Sequence, residues 1–318
     1  MMYVEDPQCW GNKSYHSLNW EMRRIFGTKV FKIPLDAGFT CPNRDGTLSR
    51  QGCFFCSSRG SGDFAGERGE NLARQFDQLK MVMHKKWRSG KYIAYFQAFS
   101  NTYAPVQHLR AVYSAALNQP DVVGLAIATR PDCLPDEVLQ LLDEFNQKTH
   151  LWVELGLQTI HSATARAMNL QYDYEVFLRA LQNLRSRNIQ TVAHIILGLP
   201  EETPEMMRNT GRALADLPLQ GLKIHLLHLM KDTPLAEIYQ DKPFEYLSRE
   251  EYADLVVDIL EMMSPDVVIH RLTGDSPRNT LIGPEWSLNK WEVLNLIDRR
   301  FNERETWQGR GRGSLQSI

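Results

Sequence analysis

The sequence predicts an α/β fold, a partial (β/α)6 barrel of the TIM type with an N-terminal extension and a C-terminal α/β addition. Three observations predict it. Apolar strand-like runs alternate six times with segments of helical periodicity, the pattern of parallel strands joined by helical crossovers. The run at 151–157 is apolar on one side only: Leu151, Val153, Leu155 and Leu157 share one face, and Trp152, Glu154, Gly156 and Gln158 share the other. A parallel strand sealed in a core is usually apolar on both faces, so a polar face points to a lumen that holds a polar ligand. Three cysteines, Cys41, Cys53 and Cys56, follow the first strand, where barrel folds carry their chemistry. A doubly wound sheet is the rival architecture.

Taken in order, residues 1–25 are polar and aromatic, with Trp10, Tyr15 and Trp20, and read as the N-terminal extension. The barrel core spans 26–263. Its strands are expected at 30–35, 92–96, 122–128, 151–157, 191–197 and 222–229, and its helices at 72–87, 106–117, 136–145, 174–187, 204–217 and 249–263. Thr203 followed by Pro204 reads as an N-cap and a first helical residue. The C-terminal addition, 264–307, holds a last strand near 267–273. It also holds a helix at 288–303, with Trp291, Leu294, Ile297 and Phe301 at helical spacing. Residues 308–318, rich in Gly, Arg and Ser, read as a disordered tail.

The chain has 318 residues, is 43% apolar and 23% charged, and carries a net charge of −2. Those values suit a soluble globular protein and exclude a global basic field for nucleic acid, though a local patch suffices to bind one. Basic residues recur at Lys85, Lys86, Arg88 and Lys91 and at Arg299, Arg300, Arg304, Arg310 and Arg312, either as an RNA-binding patch or as solvated helix faces. No run approaches the roughly 18 apolar residues of a membrane span, and the start shows no secretory signal. The expectation is a cytoplasmic protein in a reducing compartment. There, grouped cysteines bind metal or do chemistry in preference to forming disulfides.

The cysteines follow a C-x11-C-x2-C pattern. Thiolates select zinc, copper(I) or iron–sulfur clusters. Structural zinc and ordinary clusters take four protein ligands, whereas three thiolates on a four-iron cluster leave one iron open to a substrate or cofactor. Zinc needs a fourth ligand, and His16 and His84 have no motif-like spacing to the thiols. Cys9 and Cys133 are isolated and read as small buried hydrophobes.

The string Cys41, Pro42, Asn43, Arg44, Asp45, Gly46, Thr47, with Gly52, Cys53 and Cys56, resembles the radical S-adenosylmethionine (SAM) superfamily. Within it the chain resembles the branch related to the catalytic subunit of Elongator, in the YhcC/YtqA (MnmL-type) subgroup. Further matching strings lie at 95–99, 128–134, 153–158, 221–229 and 283–292, and the glycine-rich 60–66 segment points to the YtqA-like side. The resemblance implies a radical SAM barrel and an enzyme. In such an enzyme Cys41, Cys53 and Cys56 hold a 4Fe-4S cluster whose open iron chelates S-adenosyl-L-methionine, and cleavage of that cofactor yields a 5′-deoxyadenosyl radical. It also implies an electron donor of the flavodoxin or ferredoxin type.

Site residues follow from both lines. Gln97, Ser100 and Asn101 stand where the superfamily often has a Gly-Gly-Glu string for the methionyl amino group. This chain departs from that string, and a plain strand-end turn is the alternative. Arg130 is placed to pair with a carboxylate or phosphate; the alternative is a helix-capping loop with Asp132 or Asp136 as cap. Glu154 and Gln158 are implied to contact the ribose or methionyl part, unless Glu154 forms an internal salt bridge with Lys223. Gly198 lies in the segment implied to pack on the adenine. Lys223 and His225, sharing a strand face, and Arg271 are the candidate substrate-side residues. His225 and His228, three apart on a straight strand, are expected to point to opposite faces, and His194 shares a face with Gly198. The subgroup implies a tRNA substrate, with the wobble uridine's carboxymethylaminomethyl group converted to aminomethyl. A small metabolite or protein side chain, or a non-enzymatic metal-binding scaffold, are the alternatives.

Overall fold

The computed structural model describes residues 10–312 apart from 86 and 88. Cys9, Lys86, Arg88, residues 1–9 of the extension and residues 313–318 of the expected tail lie outside the described residues. In chain order the elements are α1 (Leu18–Phe26), β1 (Val30–Leu35), α2 (Leu72–His84), β2 (Lys91–Phe96), α3 (Val106–Leu117), β3 (Val122–Thr129), α4 (Asp136–Asn146), β4 (His150–Gln158), α5 (Ser162–Ala167), α6 (Tyr174–Arg185) and β5 (Gln190–Leu197). They continue as α7 (Pro204–Ala215), β6 (Gly221–Leu226), β7 (Leu229–Met230), α8 (Pro234–Asp241), α9 (Arg249–Met262), β8 (Val268–Arg271), β9 (Leu281–Gly283) and α10 (Lys290–Glu303).

Seven strands form one parallel sheet in the order β1-β2-β3-β4-β5-β6-β8, curled into a half-barrel. The six expected strands are all present, and the last strand of the C-terminal addition joins the same sheet beside β6 as a seventh. The long run expected at 222–229 divides instead. β6 stops at Leu226, and Leu229–Met230 turns away to pair antiparallel with β9.

Strand faces sort as their alternation requires. Leu151, Val153, Leu155 and Leu157 join the outer core with Ile33, Leu35, Leu125, Ile127, Ile195, Leu222 and Ile224, under the helices. The inner face begins with an apolar layer: Ile93, Tyr95, Ala126, Trp152 and Val192 pack with Met22, and Leu18 and Phe26 lie against them. Helix α1 therefore plugs the lower end of the lumen. It is opened by Ser17, whose side chain accepts from the Trp20 amide, and closed by Gly27 at φ 69°. It touches both β1 and β8, and Ser17 bridges to Ile269, so the extension spans the gap between the two edge strands.

At the C-terminus the expected helix is present, and the expected tail needs correction. Helix α10 buries Val293, Leu296, Ile297 and Phe301 against α9, which rotates Trp291 outward and leaves it 76% exposed. The tail expected from Gln308 is packed through Arg312. The buried Gln308 side chain donates to the carbonyls of Ser264 (2.6 Å) and Val267 (2.8 Å) and accepts from the His16 amide (2.9 Å), tying the two ends of the chain together. Polar composition suggested disorder, but an amide that satisfies three backbone groups orders the segment. No helix among the described residues is long and apolar enough to cross a membrane.

Candidate active site

The loop after β1, residues 36–71, carries the cysteines. It folds on itself: the Arg44 and Asp45 amides donate to the Cys41 carbonyl at 2.8 and 3.1 Å, and the Cys56 amide donates to the Cys53 carbonyl at 2.9 Å. The Arg44 guanidinium donates to the carbonyls of Cys56 (2.6 Å) and Ser57 (2.7 Å), clamping the second half of the loop to the first. Gly52 is required where that clamp passes: its φ is +75°, and a Cβ there would lie 2.7 Å from Arg44 Nε. The fully buried Asn43 donates to the Asn169 carbonyl at 2.7 Å and to Cys53 Sγ at 3.5 Å, and Asn169 returns a bond to the Gly52 carbonyl at 2.7 Å. The loop is thus docked on the turn between α5 and α6, a partner 126 residues away that no motif announces.

All three cysteines line one cavity of about 540 Å³ that runs from this loop down into the lumen. At its floor Glu154 is buried and accepts from four groups: Lys223 (2.9 Å), Tyr95 hydroxyl (2.7 Å), Lys32 (3.1 Å) and Trp152 Nε1 (3.3 Å). Burial alone would raise this carboxyl, but Lys223 and Lys32 hold it well below the usual range. Burial also lowers Lys223, against the pull of Glu154 and with help from Arg271 and Lys32, to about 8. The internal salt bridge weighed against a ligand role for Glu154 is present, and the residue lines the cavity as well.

Above this layer His194, His225 and His228 cluster, with ring centroids 5.7 and 5.3 Å apart. Strict strand register predicted that His225 and His228 would diverge; β6 ends between them, and the bend brings both to the cavity. Burial, then the neighbouring histidines and Arg271, keeps His225 neutral. His225 Nδ1 lies 2.6 Å from the Leu226 carbonyl, which fixes that nitrogen as the donor. Burial lowers His228 to about 4. A Cβ on Gly274 would fall 2.1 Å from the His225 ring, so only glycine leaves room for it.

Of the expected site residues, Gln97, Ser100, Arg130, Glu154, Gln158, Lys223, His225 and Arg271 line the cavity with the cysteines. Asn101 and Gly198 do not. Asn101 is spent on the fold, its amide donating to the carbonyls of Phe96 (3.1 Å) and Ala128 (2.8 Å) and so joining the ends of β2 and β3. Gly198 turns the chain after β5 at φ +85°, where a Cβ would lie 3.3 Å from Leu247 and 3.9 Å from Leu226. Arg130 pairs bidentately with Asp132 (2.9 and 2.6 Å) and lies over the Tyr172 ring at 4.8 Å, while neither Asp132 nor Asp136 caps α4. Sequence reading missed Lys32, Tyr95, Tyr172 and Lys290, all in the lining. Lys32 was legible as a polar residue inside an apolar strand. The basic run near the C-terminus is engaged elsewhere: Arg304 pairs with Asp254 (2.7 Å) and Asp258 (2.6 Å), Arg300 with Asp254 (3.1 Å), and none of that run lines the cavity.

The donor set fits a cluster. Among the described residues no three His, Cys, Asp or Glu side chains converge on a point suited to a single metal ion. Cys41, Cys53 and Cys56 all line the one cavity, and three thiols are the donors an iron–sulfur cluster would take. Burial, reinforced by Cys56, pushes the Cys53 thiol up to about 12, so a thiolate there needs a cation beside it. Neither histidine weighed as a fourth zinc ligand is free to serve, since His16 is held by Pro265 and Glu21 and His84 by Tyr92. Room and polarity for SAM are also present: Arg130 Nη1, His194 Nε2 and His228 Nε2 are buried without partners in the lining. The volume is that of a small-molecule site.

Comparison with known proteins agrees. Residues 44–214 match the Radical SAM superfamily, and residues 219–303 match the Radical_SAM C-terminal domain. The chain is 52% identical over 311 residues to YtqA of Bacillus subtilis, covering 97% of each. It is 24% identical over 176 residues to a tRNA uridine(34) acetyltransferase of Methanocaldococcus infernus, covering 54% of this chain and 32% of that one. The fold resembles that of Methanocaldococcus infernus Elp3 with a TM-score of 0.65 at 15% identity, over 88% of this chain and 64% of the other. With its cysteine loop at the mouth of a half-barrel and a polar cavity beneath, the chain belongs to the radical SAM superfamily, an enzyme whose cofactors are a 4Fe-4S cluster and S-adenosylmethionine.

Proposed function

We propose that the enzyme acts on tRNA and converts the carboxymethylaminomethyl side chain of the wobble uridine to aminomethyl. The observation that carries this reading is the charge of the cavity. Six basic side chains line it, Lys32, Arg44, Arg130, Lys223, Arg271 and Lys290, against three acidic ones, Asp63, Glu154 and Asp275. Such a lining suits an anionic group on the substrate. Relatedness to the tRNA uridine(34) acetyltransferase supports a wobble uridine as the nucleoside.

Cys41, Cys53 and Cys56 would hold the cluster, and Arg130, Gln97, Ser100 and Gln158 would border the SAM site. With both cofactors bound, and an electron from a flavodoxin- or ferredoxin-type donor, the site supplies a hydrogen-atom acceptor. The substrate methylene between nitrogen and carboxylate loses a hydrogen atom and then an electron, which returns to the oxidised flavodoxin- or ferredoxin-type protein and so balances the one spent on cofactor cleavage. Water adds to the resulting iminium carbon, and the C–N bond breaks. The products are the primary amine and a two-carbon oxo acid, beside 5′-deoxyadenosine and methionine. Lys223 and Arg271 would hold the carboxylate, and neutral His225 could accept the proton from the attacking water.

The test is mass spectrometry of wobble nucleosides in tRNA from cells lacking the gene, complemented with wild type or Cys41→Ala. Accumulation of the carboxymethylaminomethyl form, cleared by wild type alone, is expected. Identical profiles in all three strains would remove the tRNA reading.

A further inference from the structure

The lumen has a shortage of negative charge concentrated at one place. Lys32 comes from β1 and Arg271 from β8, the two edge strands of the open sheet, so they approach the lumen from opposite sides of its gap. Lys223 stands on β6 in register with Arg271. Lys290 opens α10. Each acid here serves two bases. Glu154 is shared by Lys223 (2.9 Å) and Lys32 (3.1 Å), and Asp275 by Lys290 (2.8 Å) and Arg271 (3.7 Å). Four cations thus face two carboxylates inside the half-barrel, where like charges are costly unless a further anion enters.

We infer that Lys32, Arg271 and Lys290, ranged around Lys223, form the specificity subsite of this enzyme. The subsite admits a side chain bearing a carboxylate and expels the same side chain once the carboxylate is gone. The inference rests on the proposed reaction and adds which residues choose substrate over product. A carboxymethylaminomethyl group is at most zwitterionic, whereas an aminomethyl group is a cation. Loss of the two-carbon acid therefore turns a matched occupant into one that the lining repels, and product leaves. The same field disfavours a proton on the substrate nitrogen. The unprotonated nitrogen is the form whose lone pair stabilises a radical on the adjacent carbon, so the charge that selects the substrate also prepares it.

The experiment is equilibrium binding to anaerobically purified, cluster-loaded enzyme with S-adenosylmethionine and no reductant, so that nothing turns over. The probes are two anticodon stem–loops that differ only in carboxymethylaminomethyl or aminomethyl at the wobble uridine. N-benzylglycine and benzylamine form a second pair that needs no RNA. The ratio of affinities within a pair cancels any loss of active protein in a variant. Wild type should favour the carboxylate member by about tenfold or more, the equivalent of roughly 1.4 kcal/mol. Lys32→Met and Arg271→Gln should bring that ratio towards one, and Arg271→Lys should restore much of it. If neither RNA binds better than an unrelated stem–loop, yet N-benzylglycine is preferred and the variants lose that preference, the tRNA reading fails and the subsite stands. Equal affinity within both pairs, or a preference that survives in both Lys32→Met and Arg271→Gln, overturns the inference.

Discussion

Lys223 and Glu154, 69 residues apart in sequence, meet at 2.9 Å inside the half-barrel, and the same carboxylate accepts from the Tyr95 hydroxyl. The pair separates an apolar floor, plugged by α1, from a polar cavity that reaches the cysteine loop.

Glu154→Leu should be strongly destabilising, by about 3–5 kcal/mol, because it leaves the buried Lys223 and the half-buried Lys32 without their shared counter-charge. Thermal unfolding measures this. Linkage gives the pH dependence. The Glu154 carboxyl titrates lower in the folded protein than its ordinary value of 4.5, so the unfolded chain binds the proton first. Its stabilisation is complete above about that value and is lost as pH falls through the folded-state value. A Glu154→Leu variant as stable as wild type would show that the lysines do not depend on it.

Lys223 titrates at about 8, among Glu154, Tyr95, Lys32, Arg271 and the neutral His194. Affinity for a carboxylate-bearing ligand should therefore fall, about three- to tenfold, as pH rises from 7 to 9. Lys223→Arg, charged throughout, should flatten the profile. Stability moves the other way. The unfolded chain binds more protons between pH 8 and 10.5, so this lysine's cost to the fold is relieved across that window. A wild-type affinity unchanged from pH 7 to 9 would rule out Lys223 as the titrating group.

Arg44→Ala removes the charged donor that joins Cys56 and Ser57 to the first half of the cysteine loop. Bonds of this kind contribute about 1.5–3 kcal/mol. Iron and sulfide per chain should drop well below wild type after reconstitution, while circular dichroism stays unchanged. Full cluster loading in this variant would mean that the loop does not need the clamp.

Met22→Ala tests the plug. The side chain is buried among Ile93, Ala126 and Trp152, so truncation should cost about 2–5 kcal/mol, read as a lower melting temperature. Iron content should be unaffected, since the cysteine loop lies at the other end of the barrel.

The strand β1 was legible to its boundaries, and so was helix α3, because both follow local rules of alternation and periodicity. The faces of β4 were legible for the same reason, and with them the expectation of a polar lumen holding Glu154. Helix α1 was missed inside a polar, aromatic segment, since its amphipathic stripe makes sense only against the barrel floor. The short pair of β7 and β9 was missed because its partners are far apart in sequence.

What the sequence determined by itself was the chemistry: three thiols in one loop, an alternating sheet, and the family those residues resemble. Tertiary structure decided which polar residues share a space. It removed Asn101 and Gly198 from the cavity lining, because an amide bonding two strand ends and a glycine turning the chain at positive φ are used by the fold. It brought in Lys32, Tyr95 and Lys290, and it bent His228 to the same side as His225. The physical reason is that side-chain direction along one strand is a local property. Proximity across the lumen depends on sheet curvature, strand order and where each strand stops, and these are set by contacts between residues tens to hundreds of positions apart.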